Sequence, residues 1–350
     1  MKKVKLGSSS LQVSEICLGS MTWGEQNTQE DAIEQIEYAL DRGINFIDTA
    51  EMYAVPPKAE TCGFTETYIG KWIGANQSRR DEFVLATKIA GPKVSWLRDG
   101  GPINASAINN AIDGSLGRLQ TDYIDLYQIH WPNRMHPYFA KHWPGDLDYS
   151  RFDVQKERDG MLEILRTLDE NINAGKIRYC GVSNETPWGV GEYRQLADKH
   201  NLPKMVSVQN EFNLLNLMDV PHLMESCALN DMAYLPWSPL AGGALSGKYA
   251  DGKVPEGCRW SMQQRHGILR DTPQVHEAIA AYKAVADKHD LTLVQLALAW
   301  VYQYSGVTSA IIGATSMEQL KADIDAYDVA LSEEILAEVK LVIKRFPKPF

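Results

Sequence analysis

The stretch Ile44-Asn45-Phe46-Ile47-Asp48 combines a strand-like pattern with a charged last residue. Successive side chains of a β-strand point to opposite faces, so Ile44, Phe46 and Asp48 share one face. The same pattern recurs in two later runs, which end in an ammonium and an imidazole group: Val84, Ala86 and Lys88, and Ile124, Leu126, Gln128 and His130. The pattern predicts three neighbouring strands whose polar last residues meet at one edge of a sheet.

Eight strand-like runs occur along the chain, and stretches with helical spacing separate them. The runs cover residues 16–19, 44–48, 83–88, 124–130, 179–182, 206–209, 233–237 and 309–312. Strands that alternate with helices predict an α/β fold with a parallel sheet, and eight repeats match a closed (β/α)8 barrel, the TIM barrel. The alternative is a doubly wound sheet, but the chain lacks the GxGxxG motif typical of its nucleotide-binding members.

Smaller elements surround the predicted barrel. Residues 4–6 and 11–13 flank a turn and predict an N-terminal β-hairpin. Extra C-terminal helices are expected over residues 274–304 and 332–344. Helix N-caps are predicted at Thr28, Asn104 and Ser332. No linker composition interrupts the chain, so we predict one domain over residues 1–350.

Composition narrows the class of protein. The chain has 350 residues, a formal net charge of −10, and 44 % hydrophobic against 23 % charged residues, which predicts a folded globular protein. Its negative charge argues against nucleic acid or an anionic membrane as a partner. Five scattered cysteines, no CxxC pair and no secretory signal predict a cytoplasmic protein, and the lack of clustered histidines predicts no metal site.

Five sequence blocks closely resemble motifs of the aldo-keto reductase family, and they occur in the family's order. They are Gly43 to Tyr53 (GINFIDTAEMY), Ala86 to Lys88 (ATK), Asp122 to Pro132 (DYIDLYQIHWP), Gly175 to Asn184 (GKIRYCGVSN) and Trp237 to Leu240 (WSPL). Within the family, the chain is most similar to the branch of the potassium-channel β subunits and the bacterial Tas-type reductases. This resemblance implies a (β/α)8 barrel, an NADPH cofactor and reduction of a small-molecule carbonyl substrate.

The resemblance places the family's catalytic tetrad on Asp48, Tyr53, Lys88 and His130. It implies that Tyr53 donates a proton to the carbonyl oxygen and that Lys88 lowers the pKa of this phenol from its ordinary value of about 10. Asp48 would hold Lys88, and His130 would orient the carbonyl oxygen. Channel β subunits have another residue at the histidine position. His130 therefore favours a working reductase over the alternative, a cofactor-bound regulatory or structural subunit with slow turnover.

The resemblance also implies the residues that contact the cofactor. The expected nicotinamide contacts are Ser183, Asn184, Gln209 and Trp237. The expected contacts with the phosphate groups are Ser238, Pro239, Leu240, Lys248, Arg259, Gly313, Thr315 and Gln319. Ala322 and Asp323 stand where the family commonly has Glu and Asn against the adenine, and this departure leaves the preference for NADPH over NADH open.

Aromatic residues are concentrated in residues 131–155, an irregular segment after the fourth predicted barrel strand. We expect Trp131 from this segment and Trp23 from the first loop to line an apolar substrate pocket beside Tyr53 and His130. An aryl carbonyl compound would suit such a pocket. The alternative is a self-packed surface loop or an oligomer contact. The sequence does not identify the physiological substrate or a protein partner. It also leaves the oligomeric state open, and a homo-oligomer is compatible with it.

Overall fold

The computed structural model describes residues 1–139, 141–249, 252–262 and 270–350. An antiparallel hairpin of β1 (Lys3–Lys5) and β2 (Gln12–Ser14) opens the chain. Eight parallel strands follow, and each of the eight predicted runs overlaps one of them. They are β3 (Ile16–Gly19), β4 (Phe46–Asp48), β5 (Val84–Ile89), β6 (Ile124–Ile129), β7 (Ile177–Ser183), β8 (Met205–Gln209), β9 (Ala233–Tyr234) and β10 (Ala310–Ile312).

These eight strands form one sheet that closes on itself. The sheet order is β10-β3-β4-β5-β6-β7-β8-β9, so neighbours in the chain are neighbours in the sheet. Between β9 and β10, the amide of Thr308 donates to Tyr234 O at 2.9 Å and that of Ile311 donates to Pro236 O at 2.8 Å. The predicted (β/α)8 barrel with its N-terminal hairpin is confirmed.

Helices surround the sheet. They are α1 (Gln29–Asp41), α2 (Phe64–Ala75), α3 (Ala105–Leu119), α4 (Val154–Asn173), α5 (Pro187–His200), α6 (His222–Leu229), α7 (Pro273–Lys288), α8 (Leu293–Tyr302), α9 (Met317–Asp325) and α10 (Glu333–Arg345). The predicted caps are confirmed, since the side chains of Thr28, Asn104 and Ser332 accept backbone N–H groups at the starts of α1, α3 and α10. None of the helices in the described ranges combines the length and apolar character needed to cross a bilayer.

Two apolar clusters lie on the two sides of the sheet. Inside the barrel, Phe46, Ala86 and Leu126 pack with residues of the hairpin, and this inner cluster supports the polar strand ends above it. The outer cluster lies between strands and helices. Ile44 and Ile124 pack in the outer cluster, so their predicted position on the inner face is wrong. Ile44 precedes β4, and Ile124 is the first residue of β6.

The hairpin closes the end of the barrel opposite the polar strand ends. Leu6 and Val13 are fully buried in the inner cluster. Gly7 lies at the turn with φ of 53°, and a Cβ atom there would lie 2.2 Å from Val206 O. Glycine is required at this position because both the backbone conformation and the close approach exclude a side chain.

Candidate active site

A buried ion pair lies at the carboxyl ends of β4 and β5. Nζ of Lys88 donates to Oδ2 of Asp48 at 2.5 Å and to Thr49 O at 2.7 Å, and the Lys88 side chain is fully buried. Burial alone lowers the pKa of Lys88, but the nearby Asp48 and Tyr53 outweigh it, so the pKa is raised. Lys88 is therefore a fixed positive charge at neutral pH.

Tyr53 and His130 lie beside this pair. Lys88 Nζ is 4.9 Å from the centroid of the Tyr53 ring, and the rings of Tyr53 and His130 are 5.6 Å apart, edge to face. The structure therefore brings all four expected tetrad residues together. Each is positioned by a strand end or by the loop that directly follows β4.

The pKa values of these two side chains show how burial competes with charge. Burial raises the pKa of the Tyr53 hydroxyl group, and the opposing charge of Lys88 does not fully compensate. The prediction that Lys88 brings the pKa of Tyr53 below its ordinary value is therefore wrong, because desolvation of the phenolate outweighs the nearby charge. Burial, together with the charge of Lys88, holds the pKa of His130 well below its usual value, so its imidazole is neutral at pH 7.

Two amide side chains complete the contacts of Asp48. Oδ1 of Asp48 accepts hydrogen bonds from Nε2 of Gln128 at 3.1 Å and from Nε2 of Gln209 at 2.8 Å. Nε2 of Gln209 also lies 3.3 Å from Oε1 of Gln128. Gln128 was absent from the predicted site residues. Its place two residues before His130 on the same strand face was the signal that could have identified it.

The ends of β7 and β8 hold the residues expected to contact a nicotinamide. Oγ of Ser183 donates to Gln209 O at 2.6 Å, and Nδ2 of Asn184 donates to His130 O at 2.9 Å. Oδ1 of Asn184 is buried and has no hydrogen-bond partner in the described part of the chain. Trp237 is half-buried, and its ring stacks on Phe139 at 6.5 Å. This cluster therefore contains an unused acceptor, the Oδ1 atom of Asn184.

Two cations lie further along the chain after β9. Ser238, Pro239 and Leu240 lead from Trp237 into the short 3-10 segment Ala241–Ser246, and Lys248 follows it. Burial, together with the charge of Arg259, lowers the pKa of Lys248. Burial also lowers the pKa of Arg259, and the charge of Arg270 lowers it further. Nη2 of Arg259 lies 3.5 Å from the sulfur of Met21. Across the described ranges, neither Lys248 nor Arg259 forms a salt bridge.

The turn after β10 leads into the N-terminus of α9. Oε1 of Gln319 accepts the amide of Thr315 at 3.0 Å and its hydroxyl group at 3.1 Å, and Gly313 precedes this turn. On the same helix, Ala322 is exposed and Asp323 is buried. Burial raises the pKa of Asp323 to about 7, and only the charge of Lys248 opposes the shift. The turn itself is held by side-chain hydrogen bonds.

Aromatic rings form a wall along the mouth of the barrel. The ring of Trp131 lies 4.9 Å from that of His130 and 5.9 Å from that of Phe139. The segment that carries them is mostly irregular, as predicted, apart from Tyr149–Arg151 and the start of α4; residue 140 lies outside the described ranges. A buried ion pair of Arg134 with Glu185 holds this segment against the barrel. Trp131 therefore lies next to the tetrad.

The other tryptophan expected in the pocket lies elsewhere. Trp23 is fully buried in the outer cluster, and its Nε1 donates to Oε1 of Gln35 on α1 at 3.0 Å. A side chain enclosed in this way has no surface to offer a ligand. The structure does not bring Trp23 to the site, because the apolar environment between sheet and helices takes up the indole and Gln35 satisfies its N–H group.

Comparison with known proteins agrees with this arrangement. Residues 15–344 match the model of the aldo/keto reductase family. The chain is 42 % identical to Protein tas of Escherichia coli over the whole of both chains. It is 31 % identical to the uncharacterized oxidoreductase YrpG of Bacillus subtilis, over 100 % of this chain and 97 % of YrpG. A probable voltage-gated potassium channel subunit beta of Arabidopsis thaliana is 29 % identical over 99 % of this chain and 98 % of its own. The protein therefore belongs to the aldo/keto reductase family of oxidoreductases.

Proposed function

We propose that the protein is an NADPH-dependent reductase that converts an aldehyde or ketone into an alcohol, with Tyr53 as the proton donor. The observation that supports this most directly is the buried Lys88–Asp48 pair, with Lys88 Nζ 4.9 Å from the Tyr53 ring. Burying two charges costs free energy unless their geometry is well satisfied, and such pairs are concentrated at functional sites.

The residues at the ends of β7 and β8 fit a nicotinamide. The unpartnered Oδ1 of Asn184 can accept a hydrogen bond from the carboxamide N–H group, beside Ser183 and Gln209. The half-buried ring of Trp237 offers a flat apolar face. When bound, NADPH supplies the hydride that adds to the carbonyl carbon.

Lys248 and Arg259 suit the phosphate groups of the same cofactor. Their pKa values are lowered by burial, which means that their charged forms are poorly compensated and would gain from a bound anion. The planar guanidinium group of Arg259 can donate two parallel hydrogen bonds to a phosphate. This supports recognition of the 2′-phosphate and hence of NADPH over NADH.

The tetrad has the properties that carbonyl reduction requires. Hydride addition leaves negative charge on the carbonyl oxygen, so a proton donor next to that oxygen lowers the barrier. Because the pKa of Tyr53 is raised, its hydroxyl group is protonated at neutral pH and available to donate. The fixed charge of Lys88 stabilises the phenolate that remains, and the neutral His130 can donate a hydrogen bond to the same oxygen.

The test is whether the purified protein oxidises NADPH when 4-nitrobenzaldehyde is the substrate. The oxidation is measured as the loss of NADPH absorbance. This activated aryl aldehyde demands little of pocket shape. Oxidation that follows enzyme concentration is the expected result. If the protein binds NADPH but turns over neither this aldehyde nor a panel of aliphatic aldehydes and ketones, the proposal is wrong and a regulatory subunit is favoured instead.

A further inference from the structure

A buried group of hydrogen bonds adjoins the aromatic wall, and the proposed carbonyl reduction has no step that uses it. Its members are Tyr138 after β6, Glu185 after β7, Asn210 and Asp219 after β8, and Tyr234 at the end of β9. Each of these residues is at most 6 % exposed. Segments from four successive strands of the barrel therefore meet in one polar cluster, which we call the Asp219 cluster.

The hydroxyl group of Tyr138 has one proton and two acceptors within hydrogen-bond distance. Its oxygen lies 2.7 Å from the main-chain oxygen of Glu185 and 3.0 Å from Oδ1 of Asp219. The same hydroxyl oxygen accepts a hydrogen bond from Nδ2 of Asn210 at 2.7 Å. Because a hydroxyl group donates its proton to one partner at a time, Tyr138 alternates between Glu185 and Asp219 as its acceptor.

The protonation state of Asp219 decides between these two acceptors. The ionised carboxylate accepts hydrogen bonds from Tyr138 and, at 2.7 Å, from the hydroxyl group of Tyr234, while Glu185 O keeps its hydrogen bond from Nδ2 of Asn210 at 2.9 Å. A protonated Asp219 must instead donate. Tyr138 has another acceptor for its own proton, so the carboxyl proton on Oδ1 is donated to the Tyr138 oxygen, and Tyr138 donates to Glu185 O. The cluster therefore has two hydrogen-bonded arrangements.

Asp219 changes its charge in an accessible pH range. Burial raises the pKa of its carboxyl group to about 6, hydrogen bonds from three neighbouring side chains oppose this shift, and the charge of Glu211 adds to it.

Other titratable and charged groups face the Asp219 cluster from the elements around it. Burial raises the pKa of the Tyr138 and Tyr234 hydroxyl groups well above the ordinary value, so both stay protonated at neutral pH. Burial and the charge of Asp219 raise the pKa of the Cys227 thiol on α6 to about 12. Two buried ion pairs complete the surroundings, and they are Arg134 with Glu185 and Arg270 with Glu211. We therefore take Asp219 as the member of the cluster that exchanges a proton near pH 6.

The next residue along the chain connects Tyr138 to the aromatic wall. The ring of Phe139 lies 5.9 Å from that of Trp131 and 6.5 Å from that of Trp237. Trp131 in turn lies 4.9 Å from the ring of His130, measured between ring centres. A change in where the Tyr138 hydroxyl group is held is therefore passed through contiguous contacts to the rings beside the tetrad.

We propose that Asp219 and Tyr138 are positioning residues for the aromatic wall: ionised Asp219 holds the wall firmly, and protonation of Asp219 loosens it and weakens binding of the carbonyl substrate. Hydrogen bonds to a charged acceptor are roughly twice as strong as those between neutral groups, so Tyr138 is held more firmly by the carboxylate. The effect on substrate binding rests on the proposed function, whereas the coupling of Asp219 to the wall does not.

The first experiment observes the wall without turnover. In protein labelled with 5-fluorotryptophan, the fluorine resonance of Trp131 is assigned with the variant Trp131→Phe. This resonance should shift with pH around a midpoint of about 6, the pKa of Asp219. The neighbouring His136 cannot produce this midpoint, because burial lowers the pKa of its imidazole to about 4. Asp219→Asn should abolish the shift, since the amide has no proton to lose in this range.

Two tyrosine variants separate the connection to the wall from the titration itself. Tyr138→Phe should abolish the shift of Trp131, because Asp219 still titrates but has lost its link to the wall. Tyr234→Phe should keep the shift and raise its midpoint, because the ionised carboxylate loses a donor. Asp231→Asn, on the exposed turn after α6, is the control and should change neither. Near-ultraviolet circular dichroism checks that each variant keeps its fold.

The second experiment measures KM and kcat for 4-nitrobenzaldehyde at saturating NADPH. We expect KM to rise about threefold as the pH falls from about 7.5 to 5.5, with the midpoint of the Trp131 resonance, because one charge-assisted hydrogen bond is weakened. In Asp219→Asn and in Tyr138→Phe, KM should not depend on pH in this range. The pH profile of kcat should be the same in the parent protein and in Asp219→Asn, a separation that a merely structural role would not produce.

The outcomes separate this inference from the proposed function. A Trp131 resonance that does not shift near pH 6, or one that still shifts in Asp219→Asn, overturns the positioning role. If the resonance shifts but KM does not follow it, the effect on substrate binding is wrong and the reductase stands. If the resonance shifts but no carbonyl compound is reduced, the proposed reduction is wrong while the coupling of Asp219 to the wall stands.

Discussion

The floor of the site and its phosphate side balance their charges in different ways. The floor, Asp48 with Lys88, Gln128 and Gln209, gives its carboxylate and its ammonium group partners within 3.1 Å. The phosphate side, Lys248 and Arg259 with Asp323, contains two cations whose pKa values are lowered, mainly by burial, and a carboxyl group with a raised pKa. The floor is therefore arranged before any ligand binds, whereas the phosphate side gains most of its stabilisation from one.

Removal of the proton donor is the sharpest test of the floor. Tyr53→Phe should lower kcat by about 10²–10⁴-fold, because it removes the acid and leaves the ring in place. NADPH affinity should stay within about twofold when it is measured by quenching of tryptophan fluorescence. Tyr149→Phe is the matched control, since Tyr149 is 76 % exposed on the surface. A Tyr53→Phe enzyme with full kcat would remove Tyr53 from the mechanism.

Asp323, on the phosphate side, should contribute to the pH dependence of stability. Asp323 has a pKa of about 7 in the fold, against about 4 in an unfolded chain, so the folded state binds the extra proton between these values. The free energy of unfolding should thus fall as pH rises from about 4 to 7, by up to about 4 kcal/mol from this group. In Asp323→Asn this contribution is absent.

Urea unfolding at about pH 5 and pH 8 measures this difference. Asp325→Asn is the control, because this carboxylate is exposed on the same helix and pairs with Arg42. The interpretation of Asp323 fails if Asp323→Asn and the parent protein lose equal stability between the two pH values.

Substitution of Arg259 tests whether the phosphate side binds the 2′-phosphate of NADPH. Arg259→Ala should weaken NADPH binding by about 10- to 100-fold and NADH binding much less, since a bidentate charged contact is lost only with NADPH. Fluorescence titrations with both nucleotides give the ratio, and Arg151→Ala on an exposed turn is the control. Equal losses for the two nucleotides would mean that Arg259 does not distinguish them.

The smallest expected effect comes from a hydrogen bond within the floor. Gln128→Leu removes one of the two amide donors to Oδ1 of Asp48, while Gln209 keeps the other. We expect kcat to fall by about fivefold, and its pH profile to shift, because Asp48 holds Lys88 less firmly. A variant with lower stability but unchanged kcat and pH profile would show that Gln128 is structural only.

The sequence predicted the strands well because their apolar runs are short and regularly separated. The helix caps at Thr28, Asn104 and Ser332 were predicted equally well, since a cap depends only on residues within one turn of it. Helix α2 was not predicted. It buries Glu66, whose carboxylate binds Thr87 of β5 and Arg118 of α3, so a polar residue occupies a position where periodicity expects an apolar one.

The site shows the same division between local and long-range information. Strand phase placed Asp48 and Lys88 correctly, since it depends only on alternation. The raised pKa of Tyr53 could not be predicted, because the sequence does not report how far the phenol is desolvated. The position of Trp23 depends on Gln35 in α1, a partner that no local pattern identifies.

The closure of the barrel also determines where the molecule should open first. β6 and β7 pair through five residues, whereas the segments around β9 and β10 meet, in the part of the chain that the structure describes, at the bridges Tyr234–Val307 and Trp237–Ile311. In hydrogen–deuterium exchange, the amides of Thr308 and Ile311 should therefore lose protection before those of β6. Trp237 is one of the residues at this β9–β10 contact. Any ligand that stacks on its ring should therefore slow the exchange of these amides, so their exchange rate can be used to detect binding.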